Sequence, residues 1–336
     1  DLIEETLDST WAQTYRPIEV IIVDDGSEDN TGEVVKEWIS QHGGDSGFRA
    51  YSDFQQNAGV CAARNNALRR STGEFIQFLD SDDLIHPERL AKVADVFRST
   101  GCDYVESGFE GFCSECGEAF DTHYGHTITP QLDLLLVGRL WPNTLRPTYR
   151  RSLIQRTGPW NETMVTLQDY EYVIRALVQN PMPRCQSIHE VLARARRDTD
   201  GRMSDIIHTR KGRALRIDCE EILCARLQKL HPTERPSASV MQAFAKRLYL
   251  LAIRSTASGW PDLGMRCGAL AEELHVRLDM RGKISRALWK TGVPGARLYA
   301  GLDGLRRLVK DATPKAHICQ ASVDTRIPEE KGPQVC

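Results

Sequence analysis

Nowhere in the 336 residues does an apolar run approach the ~18 uninterrupted residues of a membrane-spanning helix. The first residues also lack the basic and apolar regions of a signal peptide. The expectation is a cytoplasmic protein that meets the inner face of a membrane only through its surface. A global positive field is missing too: 43 Lys+Arg against 46 Asp+Glu leave a formal net charge of -3, which gives no ground for nucleic acid as the main partner. An anionic ligand would have to be held locally. Nor is there a disulfide framework, because the 10 cysteines are scattered through a long chain with helical patterns. Free thiols are expected. Cys113 and Cys116 form one C-x-x-C, but zinc needs two more ligands and no second pair has matching spacing. A hairpin turn around Ser114-Glu115-Cys116-Gly117 is the preferred reading.

What is present is the balance of an ordinary globular chain, 41% hydrophobic and 26% charged, with length for roughly two domains. Leu2, Ile3, Leu7 and Trp11 have helical spacing ahead of Pro17. Ile18 to Val23 is a short β-branched run ending at Asp24-Asp25-Gly26-Ser27, as in a buried parallel strand. A helix follows from Thr31 to Ile39, ended by Gly43-Gly44, and another from Gly59 to Arg70. Phe75 to Leu79 is a second apolar strand ending in Asp80-Ser81-Asp82-Asp83, and Pro87 opens a helix to about Phe97. This alternation predicts an α/β domain with a mostly parallel central sheet. Ligands bind outside the strand C-termini of such sheets, so both acidic turns should face one crevice. Asp169 to Val178 reads as a helix with Tyr172, Val173, Ala176 and Leu177 inward. Residues 205–312 carry helical periodicity throughout, and the charged, proline-containing tail 313–336 is expected to be poorly ordered.

Acidic turns of this kind suit a divalent cation that offsets the charge of an anionic ligand. Mg²⁺ or Mn²⁺ prefers hard oxygen ligands and is often held by one or two carboxylates plus phosphates. In FLDSDDL, Asp80 and Asp82 are one residue apart, and their mutual repulsion favours a cation. Taken alone, the run would pass for a polar turn at a helix start.

The ordered set IEVIIVDDGSEDNT, QNAGVCAARNNAL, GEFIQFLDSDDLIHPERL and LQDYEYVIRAL closely resembles the family 2 inverting glycosyltransferases, over residues 1–204. The resemblance implies a GT-A nucleotide-sugar-binding fold. It implies that Asp25 contacts the nucleotide base with Asp24 supporting the turn, that Asp80 lies near ribose or metal, and that Asp82 coordinates Mn²⁺ or Mg²⁺. Asn57, Gly59 and Arg64 would flank the nucleotide, with Arg64 pairing with a carboxylate or phosphate or making a structural salt bridge. Asp169 matches the base that removes the acceptor hydroxyl proton as that oxygen attacks the anomeric carbon; Gln168 replaces the more usual glutamate. A helix N-cap role for Asp169 is compatible with this. Glu171 is the lower-ranked acceptor-site candidate, and Trp160 would stack on sugar or pack in the core. VLARARRDTDGRMS resembles the segment closing over the diphosphate, but Arg197-Asp198 replaces the usual histidine. Arg197 or Arg202 would then touch the diphosphate or form a solvated basic turn.

Relatives begin with a strand and a nucleotide-touching loop ahead of the helix that starts this sequence. The expectation is that the sequence is a fragment, that its start lies upstream, or that another segment fills the sheet position. The implied partners are a UDP-sugar donor and a glycan or lipid-linked acceptor of a bacterial surface polysaccharide. Residues 205–312, with the basic stretch Arg286 to Lys310, would serve dimerisation or peripheral membrane contact. The competing readings are a non-catalytic sugar-nucleotide-binding subunit and, less consistent with IEVIIVDDGS, a phosphohydrolase.

Overall fold

The structure is a computed structural model that describes residues 2–42, 47–114, 116–125, 131–136, 143–179, 181–196, 209–230, 233 and 235–292. Gly43-Gly44, Arg197-Asp198, Arg202, residues 313–336 and the basic stretch beyond residue 292 lie outside the described residues.

Helix α1 (Leu2–Trp11) turns Ile3 and Leu7 toward a small core shared with Val35 and Trp38 of α2 (Thr31–His42) and Phe48 of the following strand. The β-branched run after Pro17 forms β1 (Ile18–Asp24), paired in parallel with β2 (Phe48–Phe54) from Ile18↔Phe48 to Asp24↔Phe54, with α2 between them in the chain. Helix α3 (Val60–Arg70) follows Gly59, and β3 (Phe75–Gln77) leads into the Asp80 turn and the short β4 (Leu84–Ile85). Helix α4 (Arg89–Thr100) ends at Gly101, whose left-handed φ of 61° lets its N–H reach back to Phe97.

The larger, six-stranded sheet runs β3-β7-β5-β8-β4, where β5 is Tyr104–Phe112, β7 is Pro147–Arg150 and β8 is Cys185–Arg196. The ninth and last residue of β5 leads to the turn containing Cys113 and Gly117, and β6 (Ala119–His123) returns antiparallel. Cys113 and Cys116 therefore sit in a hairpin as free thiols. Strand directions are mixed: β1–β2 and β5–β8 are parallel, while β3–β7, β5–β7, β5–β6 and β4–β8 are antiparallel. The α/β class holds, but the mostly parallel sheet expected from the sequence does not. An apolar run reports burial on both faces and carries no information about strand direction.

The two sheets do not pair with each other. Among the described residues β1 has only β2 as neighbour and β3 only β7, and residues of both strands line one groove. Although β1 is rich in Val and Ile, none of its residues is fully buried. Among the described residues no segment occupies the position between these edges, so the expectation that another part of the chain fills it is not met by them.

The remaining described helices are α5 (Gln131–Leu136), α6 (Arg151–Thr157), α7 (Gln168–Leu177), α8 (Arg210–Leu227), α9 (Ala238–Ala257), α10 (Pro261–Glu273) and α11 (Met280–Lys290). Helices α8 to α10 do not stand apart. Ile217, Leu223, Phe244, Leu248 and Cys267 belong to the same buried cluster as Tyr170, Tyr172 and Ile174 of α7 and Ile76 of β3. No described helix is long and apolar enough to cross a membrane.

Candidate active site

The two acidic turns converge as the order of elements requires. Asp24, Asp25, Arg64, Asp80, Asp82 and Asp169 all line one cleft. Its volume of about 2250 Å³ exceeds the ~300–1,000 Å³ of an ordinary ligand pocket, because it continues along the groove between β1 and β3.

At the end of β1 the two aspartates shape backbone. Asp24 accepts from the Ser27 N–H at 2.8 Å. Asp25 accepts from Gln55 Nε2 at 2.8 Å, the Ala58 N–H at 2.9 Å and the Gly59 N–H at 2.8 Å. Its carboxylate thus pins the Gln55–Gly59 loop, leaving little acceptor capacity for a ligand. Gly26 is required by close approach: at φ 85° an added Cβ would lie 2.9 Å from the Asn57 nitrogen. Gly59 precedes α3 at φ 92° and ψ 156°, a region reserved for glycine.

The second turn is held from three sides. Arg64 Nη2 donates to Asp80 Oδ1 at 2.7 Å and Thr144 Oγ1 donates to Asp80 Oδ2 at 2.7 Å. Arg196 Nε donates to the Asp82 carbonyl and its N–H to the Asp83 carboxylate, both at 3.1 Å. The loop carrying Thr144 is fixed by fully buried Arg89, which donates to the Leu145 and Arg146 carbonyls at 2.7 and 2.9 Å. Thr144, Arg196 and Gln55 were not singled out in the sequence. Each contacts its aspartate from another loop or strand, and no local pattern marks such a contact.

Asp169 lies in the first turn of α7, after Leu167 as N-cap. It is therefore not the N-cap itself. Its Oδ1 accepts from the Tyr170 N–H at 2.7 Å. Burial pushes its pKa up from 3.8 to about 6, outweighing the Tyr170 amide and Arg64, which pull it down, while Asp80 adds to the rise. A carboxylate poised there accepts a proton readily near neutral pH.

Two acceptor-site candidates are placed elsewhere. Trp160 is 2% exposed, stacks on Tyr172 at 4.0 Å and lies beneath the Arg64 guanidinium at 4.6 Å; core packing is its observed role. Glu171 is buried and paired twice with Arg175, including Arg175 Nη2 to Oε2 at 2.9 Å, and it does not line the cleft. Helical geometry accounts for this, since two positions along a helix turn a side chain to another face.

The carboxylate chemistry of the Asp80-Ser81-Asp82 turn fits a hard divalent cation. Among the described residues no group of three or more His, Cys, Asp or Glu is placed to hold a metal ion. Such a cation would rest on Asp82 and Asp80, with ligand oxygens completing its shell.

Residues 1–158 match the sequence profile of Glycosyl transferase family 2. The match takes in just under half of the 336 residues, and it is this N-terminal part that is similar to family 2. An uncharacterized glycosyltransferase, alr2836 of Nostoc sp., is 29% identical over 164 residues, covering 47% of this chain and 49% of that protein. The putative glycosyltransferase EpsH of Bacillus subtilis is 31% identical over 160 residues, covering 46% and 44%. The chain thus spans about half the length of these curated relatives. Residues 1–349 of S. aureus TarS, in complex with UDP-GlcNAc, superpose with a TM-score of 0.52 at 18% identity, covering 86% of this chain and 88% of that one. This likeness is one of fold, GT-A in type, and at 86% coverage it extends past residue 204 into the C-terminal helices.

Proposed function

We propose that this chain, whose residues 1–158 match family 2, transfers a sugar from a nucleoside-diphosphate sugar, most simply a UDP-sugar, to a hydroxyl of a glycan or lipid-linked acceptor by a single inverting displacement. The observation that carries the proposal is the arrangement of one desolvated carboxylate, Asp169, in the same cleft as the paired acidic turn Asp80 and Asp82. UDP-GlcNAc on TarS supports the donor class.

In this reading the Asp25-pinned loop and Asp24 receive the nucleotide end of the donor, with Asn57 and Gly59 presenting backbone close to it. Asp82, with Asp80, holds Mn²⁺ or Mg²⁺, which when bound offsets the charge developing on the diphosphate. Arg64 orients Asp80 and adds positive potential between the turn and the base. Asp169 takes the acceptor hydroxyl proton while that oxygen attacks the anomeric carbon opposite the diphosphate. One base suffices because there is one displacement, and the product has inverted configuration.

The test is Asp169→Asn, assayed by UDP release from a panel of UDP-sugars with Mn²⁺ and by UDP calorimetry. Transfer should fall roughly 100-fold or more, with UDP affinity nearly unchanged. Parental transfer by the variant, or product with retained configuration, would remove the mechanism. Binding of UDP without turnover by the parent chain would favour the non-catalytic binding subunit instead.

A further inference from the structure

One charged cluster lies outside the cleft, yet begins one residue from Asp169. Glu220 of α8 is 1% exposed and accepts from the Tyr170 hydroxyl at 3.1 Å, Arg216 Nε at 2.8 Å and Arg247 Nη2 at 2.7 Å. Arg247 of α9 also donates to the Tyr170 hydroxyl at 3.2 Å, and the Arg216 guanidinium lies 3.7 Å from the Tyr170 ring centroid. Three helices, α7, α8 and α9, thus meet on one tyrosine and one carboxylate.

Stability alone explains this cluster poorly. A buried ionic triad is often no more stabilising than apolar residues of similar volume, because its desolvation consumes the attraction. Here Arg247 Nε is also left buried without a hydrogen-bond partner. What such a network supplies well is a defined register, since its bonds are directional where apolar contacts are not.

The turn being registered is strained. Leu167, the N-cap of α7, has a left-handed φ of 60°, a conformation costing a non-glycine residue on the order of 1 kcal/mol and persisting only where the surroundings over-determine it. On the far side of α7, Arg175 grips Glu171 and donates to the carbonyls of Thr157 and Pro159 at 2.8 and 2.9 Å. The first turn is therefore clamped from both flanks, and the Tyr170 N–H passes that constraint to Asp169 Oδ1.

We infer that Tyr170, Glu220, Arg216 and Arg247 are positioning residues for the base, and that the C-terminal helices serve the reaction by fixing the first turn of α7 against the cleft. The inference rests on the reading of Asp169 as base.

The experiment compares Tyr170→Phe and Glu220→Gln in the full chain with Arg266→Gln. Arg266 bonds Glu221 and Asp218 on α8 at 2.5–2.7 Å without touching α7, so it controls for damage to the helices themselves. Expected for the first two are roughly 10-fold losses in kcat for UDP release from the UDP-sugar panel. Donor KM and UDP affinity should stay within about twofold, and amide exchange at residues 169–171 should be at least about 10-fold faster. The double variant should be little worse than the poorer single, because both cut one link. Arg266→Gln should lower the melting temperature while keeping kcat.

Parental exchange at residues 169–171 in folded Tyr170→Phe overturns the inference, as does an equal kcat loss in Arg266→Gln. Should Glu220→Gln fail to fold, Tyr170→Phe decides by itself, since it removes one hydroxyl. Asp169→Asn run in parallel separates the two claims: parental transfer there rejects the base, whereas the exchange result judges the clamp independently.

Discussion

Arg64 ties the acidic turn to the core: its guanidinium donates to Asp80 Oδ1 at 2.7 Å while lying 4.6 Å over the ring of Trp160. One side chain thereby reads out both a buried aromatic and the mouth of the cleft, and its charge also pulls down the pKa of Asp169.

Replacing Arg64 with methionine keeps apolar contact with Trp160 and removes the charge. The pair is 14% and 41% exposed at its two ends, so the stability cost should be small, about 1 kcal/mol or less. The acidic limb of the kcat/KM profile should move to higher pH, because Asp169 loses a neighbour that favours its ionised form. A profile superposing on the parent's would show that Arg64 does not act on the base.

Asp169 itself links activity to stability with opposite signs. Its folded pKa of about 6 lies above the ordinary 3.8, so folding takes up a proton between about pH 4 and 6 and stability declines as pH rises through that window. The span corresponds to roughly 1–3 kcal/mol at most, less what partial solvent access returns. Asp169→Asn, melted in EDTA, should be more stable than the parent at pH 8 and similar to it near pH 4, while parental kcat/KM falls below about pH 6. Equal melting differences at both pH values would contradict a desolvated carboxylate.

Metal dependence should centre on Asp82, the carboxylate that the proposed reading puts on the cation, beside an Asp80 held by Arg64 and Thr144. In calorimetry, Asp82→Asn should weaken UDP binding in Mn²⁺ by at least about 10-fold, and EDTA should weaken the parent similarly while leaving the variant almost unchanged. UDP affinity indifferent to both changes would remove the metal assignment.

The loop held by Asp25 offers a test that involves no charge. At Gly59 nothing lies within 4 Å of an added Cβ, yet φ is +92°, so Gly59→Ala meets backbone strain alone, about 1–3 kcal/mol. It should lower the melting temperature and weaken UDP binding. Asp25→Ala should do the same by releasing the Ala58 and Gly59 amides and Gln55. Parental UDP affinity in both variants would exclude this loop from the nucleotide site.

Much of this site was legible in the sequence because the information is local. A β-branched run ending in Asp24-Asp25, a second ending in Asp80-Ser81-Asp82, and a 3.6-residue period from Gln168 each depend on residues a few positions apart. They suffice to place two acidic turns at strand ends and to expect Tyr172, Val173, Ala176 and Leu177 inside, where they are found; Asp169 is named only through the resemblance to family 2.

The chain fold alone decided the rest, for one physical reason: desolvation and hydrogen-bond pairing are set by neighbours in space. Trp160 packs instead of facing sugar because Tyr172 and Arg64 close over it. Glu171 leaves the cleft because Arg175 neutralises it on an inward face. Strand direction in the larger sheet follows from where β7 and β8 return beside β5. Tyr170 meets Glu220 across 50 positions of chain. A sequence can show that Asp169 is an aspartate at a helix start; only the protein packed around that carboxylate lifts its affinity for a proton.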